Sequence, residues 1–129
     1  MEGVKRLCVD SDILIDYLRG IQVARDFFIS QAGSFNFFIS VVSIAEIYSG
    51  KETKNRSKLR QIEQFLKNFS VLPIAPDIAQ LAGQIRRDLN KPFADALVAA
   101  SVLSNDMILA TRNIKHFKDI KNLQIITPY

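Results

Sequence analysis

Residues 6–20 read RLCVDSDILIDYLRG, an apolar run that ends at Asp10 and passes at once into a helical pattern. The run Leu7 to Val9 predicts a buried strand. The apolar residues that follow share one helical face, and Gly20 is a stop signal. The members of that face are Ile13, Leu14, Tyr17 and Leu18. A strand that leads directly into a helix is the repeating unit of an α/β fold.

The same alternation continues to the end of the chain. Further strands are predicted over 35–39, 71–74, 107–110 and 124–126, and further helices over 41–49 and 55–69, from Pro76 and from Pro92. Pro73 makes the third strand an edge strand, because proline cannot donate to an interior ladder. We therefore predict a single domain over 1–129, a three-layer α/β/α fold with a central, mainly parallel sheet of four to five strands.

Composition sets the broad class. The 129 residues are 48% hydrophobic and 23% charged, as in ordinary soluble proteins, and the net charge of +4 permits a polyanionic partner without requiring one. No apolar run approaches the ~20 residues that cross a bilayer. Residues 1–6 lack the apolar core of a signal peptide, and the lone Cys8 is expected to be a small buried hydrophobe. The expected compartment is the cytoplasm.

Three carboxylates stand in apolar sequence, at Asp10, Glu46 and Asp95. An ionised carboxylate buried alone costs several kcal/mol, and a shared divalent cation removes that cost for all three. Asp10 follows the first strand, Glu46 lies past the second, and Asp95 lies near the start of the central helix. Because ligands bind beyond the carboxyl ends of parallel strands, the three acids are expected to converge there on Mg²⁺ or Mn²⁺.

Each acid also has an ordinary structural explanation. Asp10 could cap the first helix. Glu46 has capping-box spacing from Ser43, although Ser40 is an equally good cap one turn earlier. Asp95 would be favoured in a first turn by the helix dipole. The coincidence of all three at one sheet edge favours the metal site.

Four stretches of the chain together resemble PIN-domain proteins, in particular the VapC toxins of toxin–antitoxin pairs. They cover residues 9–20, 39–46, 94–100 and 111–117. The resemblance implies a Mg²⁺- or Mn²⁺-dependent endoribonuclease that hydrolyses RNA phosphodiester bonds by metal-activated water. It also implies a VapB-type antitoxin partner and a homodimer.

By this resemblance Asp10, Glu46 and Asp95 match the acidic metal-site residues, and Ser11 matches a small hydroxyl residue that supports the site. Asn113 falls where many members carry a fourth acid, which leaves a second metal position in doubt. Asp12 departs from the usual Asn, and we interpret it as a helix cap rather than an additional acid.

The resemblance also bears on the basic residues and the single histidine. His116 matches a common family residue in a short helix, and we interpret it as a packing or surface residue rather than a general base. Candidate contacts to RNA phosphates flank the segments that carry Asp95 and Asn113. They are Arg86, Arg87, Lys91, Arg112 and Lys115.

Two expectations concern partners. The aromatic residues Phe27, Phe28, Tyr48, Phe65 and Phe69 exceed what one small sheet obviously needs, which suggests a dimer surface. An antitoxin is expected to lie across the helices near 13–18 and 41–66 and to bring a cation to the acidic pocket.

Other classes fit the residues less well. A haloacid-dehalogenase-type phosphatase would explain Asp10-Ser11-Asp12 but not Glu46. A CheY-like receiver would need an acid at the end of the third strand, where none stands. A housekeeping RNA-processing PIN nuclease, or a degenerate PIN domain that binds RNA without cutting it, remains an alternative.

Overall fold

The computed structural model describes residues 4–129. Met1 to Gly3, on which part of the expectation about a signal peptide falls, lie outside the described residues. The strands are β1 (Lys5–Val9), β2 (Phe35–Ser40), β3 (Ser70–Leu72), β4 (Ile108–Ala110) and β5 (Gln124–Ile126). The helices are α1 (Ser11–Leu18), α2 (Gln22–Gln31), α3 (Val41–Tyr48), α4 (Arg56–Leu66), α5 (Pro76–Leu89), α6 (Phe93–Ser104) and α7 (Ile114–Phe117). A 3₁₀ turn, Lys51–Lys54, joins α3 to α4.

The five strands form one sheet in the order β3-β2-β1-β4-β5, and every pairing is parallel. The predicted α/β fold is confirmed, with a sheet that is wholly rather than mainly parallel. The strand before Pro73 lies at the edge, as that residue predicted. The first strand is central, between β2 and β4, so that the residue after it faces the middle of the carboxyl edge.

Helices cover both faces of the sheet, and successive residues of β1 point to opposite faces. Cys8 packs with α5 and α6, whereas Leu7 and Val9 pack with α1, α2 and α4. Leu7, Cys8 and Val9 are all fully buried. The strongly apolar sequence of β1 is thus explained by helices on both sides, as is usual in parallel sheets.

Local signals place several helix ends. Ser40 caps α3 by accepting a hydrogen bond from the Val42 backbone N–H, and Asn55 caps α4 in the same way from Lys58. Pro76 stands in the first turn of α5. Gly20, with φ of 81°, turns the chain out of α1, a conformation that glycine adopts without strain.

Most of the aromatic residues that the sequence offered as a dimer surface lie inside the chain. Tyr17 stacks on Phe65 with ring centroids 4.0 Å apart, and Phe28 packs edge-on against both rings. Phe27, Phe65 and Phe69 are buried within the chain. These rings fill the layer of α1, α2 and α4, because the helix α2, which the sequence analysis did not predict, brings Phe27 and Phe28 onto it.

No helix within residues 4–129 has both the length and the apolar character needed to span a membrane.

Candidate metal and active site

Asp10 lies at the carboxyl end of the central strand and is also the N-cap of α1. Its side chain is almost fully buried, at 6% exposure. Oδ1 accepts a 2.9 Å hydrogen bond from the Ser11 backbone N–H, and Oδ2 accepts one of 2.8 Å from the Thr111 hydroxyl. Burial, then repulsion from Asp12, raises the pKa of Asp10 from 3.8 to about 7 against these two hydrogen bonds. A cation at this position would reverse that penalty.

Glu46 lies on α3 and is joined to Asp10 through Ser11. The Ser11 hydroxyl donates to Glu46 Oε1 at 3.1 Å, while its backbone N–H donates to Asp10. Partial burial raises the pKa of Glu46, and the charges of Asp95 and Asp12 raise it further. Glu46 was expected to be buried, but the residue is exposed. The capping-box explanation of Glu46 is wrong, because Ser40 and not Ser43 caps α3.

Asp95 lies in the first turn of α6, and its side chain is 21% exposed. Its Oδ2 is 3.0 Å from Nδ1 of His116, which lies on α7. His116 is therefore on the surface, as expected, but its ring also contacts a candidate metal ligand. This contact places Asp95 beside α7, which follows the carboxyl end of β4, and the charge of Asp95 raises the pKa of Glu46 as the charge of Glu46 raises that of Asp10.

Asp12 is not the helix cap that the sequence suggested, since Asp10 occupies that position. Its Oδ1 accepts from the Ile13 N–H at 2.8 Å, and its Oδ2 accepts from the Arg112 backbone N–H at 3.0 Å. One turn later, Asp16 Oδ2 accepts from the Arg112 guanidinium at 2.7 Å and from the Tyr129 hydroxyl at 2.8 Å. These two acids of α1 hold the loop after β4 against the site.

The three carboxylates have the chemistry that a hard cation requires, but their side chains are not all turned toward one point. Within the described part of the chain, no three His, Cys, Asp or Glu side chains are already arranged to hold one ion. Asp10, Glu46 and Asp95 nevertheless offer only oxygen donors, which Mg²⁺ and Mn²⁺ prefer. Burial, and more weakly the charges of neighbouring acids, raises the pKa values of Asp10 and Glu46, and a bound cation would offset both effects. The donor set therefore fits the metal, provided that Glu46 and Asp95 turn toward it.

The basic residues predicted to contact RNA differ in availability. Lys91 forms a 2.6 Å ion pair with Asp119 and is only 11% exposed. Arg112 is engaged by Asp16. Arg87 is paired with its neighbour Asp88, and the Arg86 guanidinium lies 4.6 Å from the centroid of the Phe93 ring. Lys115 is exposed.

Thr111 was not predicted as a site residue, although it stands in the stretch 111–117 that resembles the family. Thr111 is fully buried; it donates to Asp10 and accepts from the Asn113 backbone N–H at 3.0 Å. The available signal was a hydroxyl residue directly after β4, at the same sheet edge as Asp10. Asn113 itself is exposed and begins α7. Asp16 and Tyr129 were also missed, and nothing local in the sequence marks them.

Comparison with known proteins gives concordant results. Ribonuclease VapC10 of Mycobacterium tuberculosis is 37% identical over 123 residues, covering 92% of this chain and 90% of that protein. Ribonuclease VapC1 of Rickettsia felis is 28% identical and covers 94% of this chain and 95% of its own length.

Solved structures show the same fold. A toxin–antitoxin complex from Klebsiella pneumoniae superposes with a TM-score of 0.80 at 27% identity, covering 95% of this chain and 98% of that one. VapBC2 from Rickettsia felis, bound to a DNA fragment from its promoter, superposes with a TM-score of 0.81 at 20% identity, covering 94% and 97%. The family model described as the PIN domain matches residues 7–123. The chain therefore belongs to the PIN-domain family.

Proposed function

We propose that this protein is a VapC-type toxin, an endoribonuclease that depends on Mg²⁺ or Mn²⁺. The observation that carries the proposal is the linked pair of acids, in which Ser11 donates hydrogen bonds to both Asp10 and Glu46; the contact of Asp95 with His116 on α7 supports it. The relation to VapC10, at 37% identity over 92% of the chain, supports the same activity. RNA is the proposed substrate because the curated relatives are named as ribonucleases.

The chain's own residues hold the carboxylates in place. Thr111 and the Ser11 N–H fix the two oxygens of Asp10, and the Ser11 hydroxyl orients Glu46. His116 contacts Asp95 from the solvent side. Asp10, Glu46 and Asp95 would hold the ion, which supplies positive charge that lowers the pKa of water and stabilises the phosphate oxygens during displacement.

The proposal is tested by cleavage of single-stranded RNA, whose bases can be splayed into an open site. We expect cleavage with Mg²⁺ or Mn²⁺, none in chelator, and a loss of activity of at least 100-fold in Asp95→Asn, since the amide removes a charged ligand. Asp26→Asn, an exposed carboxylate on α2, is the matched control and should cleave like the wild type. Undiminished cleavage in chelator would overturn the metal dependence. RNA binding without cleavage under any condition would instead indicate a degenerate PIN domain.

We further propose a VapB-type antitoxin as partner, since related structures are toxin–antitoxin complexes. A groove of about 120 Å³ between α1, α3 and α4 offers apolar walls beside a candidate metal ligand. It is lined by Ile15, Leu18, Ile47 and Ile62, with Glu46 at its side. An inhibitor segment with apolar anchors and one Arg or Lys fits that surface.

Competition with metal tests this placement of the antitoxin. Excess Mg²⁺ should weaken inhibition, and Glu46→Gln should lower inhibitor affinity together with activity. An inhibitor that is indifferent to both changes acts at another surface.

A homodimer and a cytoplasmic location complete the proposal. The dimer now depends mainly on the family relation, because Phe27, Phe65 and Phe69 are buried within the chain, whereas Tyr48, at 40% exposure, and the half-buried Phe28 remain accessible. Sedimentation at tens of micromolar protein decides it, and a monomer there would contradict the dimer. The cytoplasm is supported by the free, buried Cys8 and by the RNA substrate.

A further inference from the structure

We infer that the 3₁₀ turn and the start of α4 form the surface that holds the RNA backbone. We call this surface the basic ridge and define it as Lys51, Lys54, Arg56, Lys58 and Arg60. The inference deepens the proposed function, on which it rests, by naming where the phosphates of the substrate lie.

The positive charges of the basic ridge are close together in sequence and are not paired with acidic side chains in the described chain. Residues 51–60 hold five cations against one acid, Glu52, and this excess equals the formal charge of the whole chain, +4. All five side chains are exposed. None of them forms an ion pair or donates a side-chain hydrogen bond to any residue from Val4 to Tyr129, and Glu52 faces Arg19 at 3.9 Å. Unpaired cations at this density attract a polyanion.

The basic ridge reaches the acid site. Lys58 and Glu46 line the same groove of about 120 Å³. A second groove of about 600 Å³ is lined by Arg60 and Arg25, and the two grooves share Leu18 and Gln61. A strand whose phosphates follow Arg60 and Lys58 would therefore arrive beside Glu46.

Two of the five cations first considered for RNA are less suitable than those of the basic ridge. Lys91 and Arg112 each make an ion pair shorter than 3 Å, and Lys91 is nearly buried. Using either would first require breaking that pair. The basic ridge carries no such cost, because its cations are free in the described chain.

The test is RNA binding with a matched control. The ridge variant is Lys51→Gln/Lys54→Gln/Lys58→Gln; the control is Lys5→Gln/Lys118→Gln/Lys121→Gln, which removes three exposed lysines elsewhere. Binding of a short, labelled single-stranded RNA is measured by fluorescence anisotropy in chelator over a range of salt concentrations, so that no cleavage intervenes. Circular dichroism and thermal unfolding verify that both variants fold like the wild type.

We expect the ridge variant to lower the slope of log affinity against log salt by about 2, since each single-strand phosphate contact contributes about 0.7. The control should leave the slope within experimental error of the wild type. In cleavage assays with metal, the ridge variant should raise KM and leave kcat unchanged, because its side chains hold substrate without touching the reacting phosphate.

Two results would overturn the inference. One is an unchanged slope in the ridge variant; the other is an equal loss in the control, which would show a diffuse charge effect. If RNA binding is unchanged but binding of a polyglutamate peptide falls, the ridge serves an acidic protein instead. If the wild type binds RNA through the ridge but never cleaves it, the proposed function fails while this inference stands.

Discussion

Replacing Asp10 by asparagine should stabilise the metal-free protein at pH 8. The carboxylate is buried, and its pKa rises from 3.8 to about 7 on folding. The folded state therefore holds the proton more tightly than the unfolded state. The free energy of unfolding of the wild type should fall as pH rises from about 4 to about 7. At about 1.4 kcal/mol per pKa unit, the ionised group costs the folded state about 4 kcal/mol above pH 7.

Asparagine removes that cost but weakens two hydrogen bonds. Its single carbonyl oxygen can accept from the Ser11 N–H, while its amide must face the Thr111 hydroxyl. This loss is worth about 1–2 kcal/mol. We expect a net gain of about 2–3 kcal/mol at pH 8 and a difference near zero at pH 4.5, where Asp10 is protonated in the folded state.

Urea unfolding in chelator at both pH values measures the difference between variant and wild type, which cancels the titration of all other groups. Asp26→Asn is the control and should change stability by less than about 0.5 kcal/mol at either pH. A variant less stable than the wild type at pH 8, or a difference that does not change with pH, would show that Asp10 is not held at a cost in the folded state.

Three further outcomes are expected. Mn²⁺ should raise the melting temperature of the wild type at pH 8 but not that of Asp10→Asn, as measured by scanning fluorimetry of both proteins. An equal shift in the two proteins would show that the ion binds elsewhere. Burial raises the pKa of the Cys8 thiol to about 12, so iodoacetamide at pH 8 should label it only after unfolding in urea, as mass spectrometry would show. Tyr129→Phe removes the hydroxyl donor to Asp16 and should lower the free energy of unfolding by about 0.5–1 kcal/mol; no change in urea denaturation would mean that water replaces the bond without loss.

Much of this architecture was predictable because its signals are local. Apolar runs that turn into helices identify β1 and β2, and Ser40, Asn55 and Pro76 mark helix starts. The edge position of β3 followed from Pro73. The expectation that the acids meet at the carboxyl edge needed only the parallel order of the strands.

The features that could not be predicted depend on contacts between segments that are distant in sequence, or on weak local patterns. The helix α2 follows Ile21, which offers no side-chain cap, and buries only Ala24 and Phe27. Its apolar pattern is therefore weak, and it was missed. The engagement of Lys91 by Asp119 joins distant segments, as does the Thr111 bond to Asp10, so neither residue's role could be inferred from its neighbours in sequence.

The bond between Thr111 and Asp10 spans 101 residues, and it has a consequence for synthesis of the chain. At ~5–20 residues per second, a ribosome needs about 5–20 s to pass from one partner to the other. During that interval Asp10 has been synthesised, but β4, which pairs with β1 and carries Thr111 to it, has not. Pairings this distant in sequence form late in folding. We therefore expect the surroundings of Asp10 to be completed only after β4 and Thr111 have been synthesised.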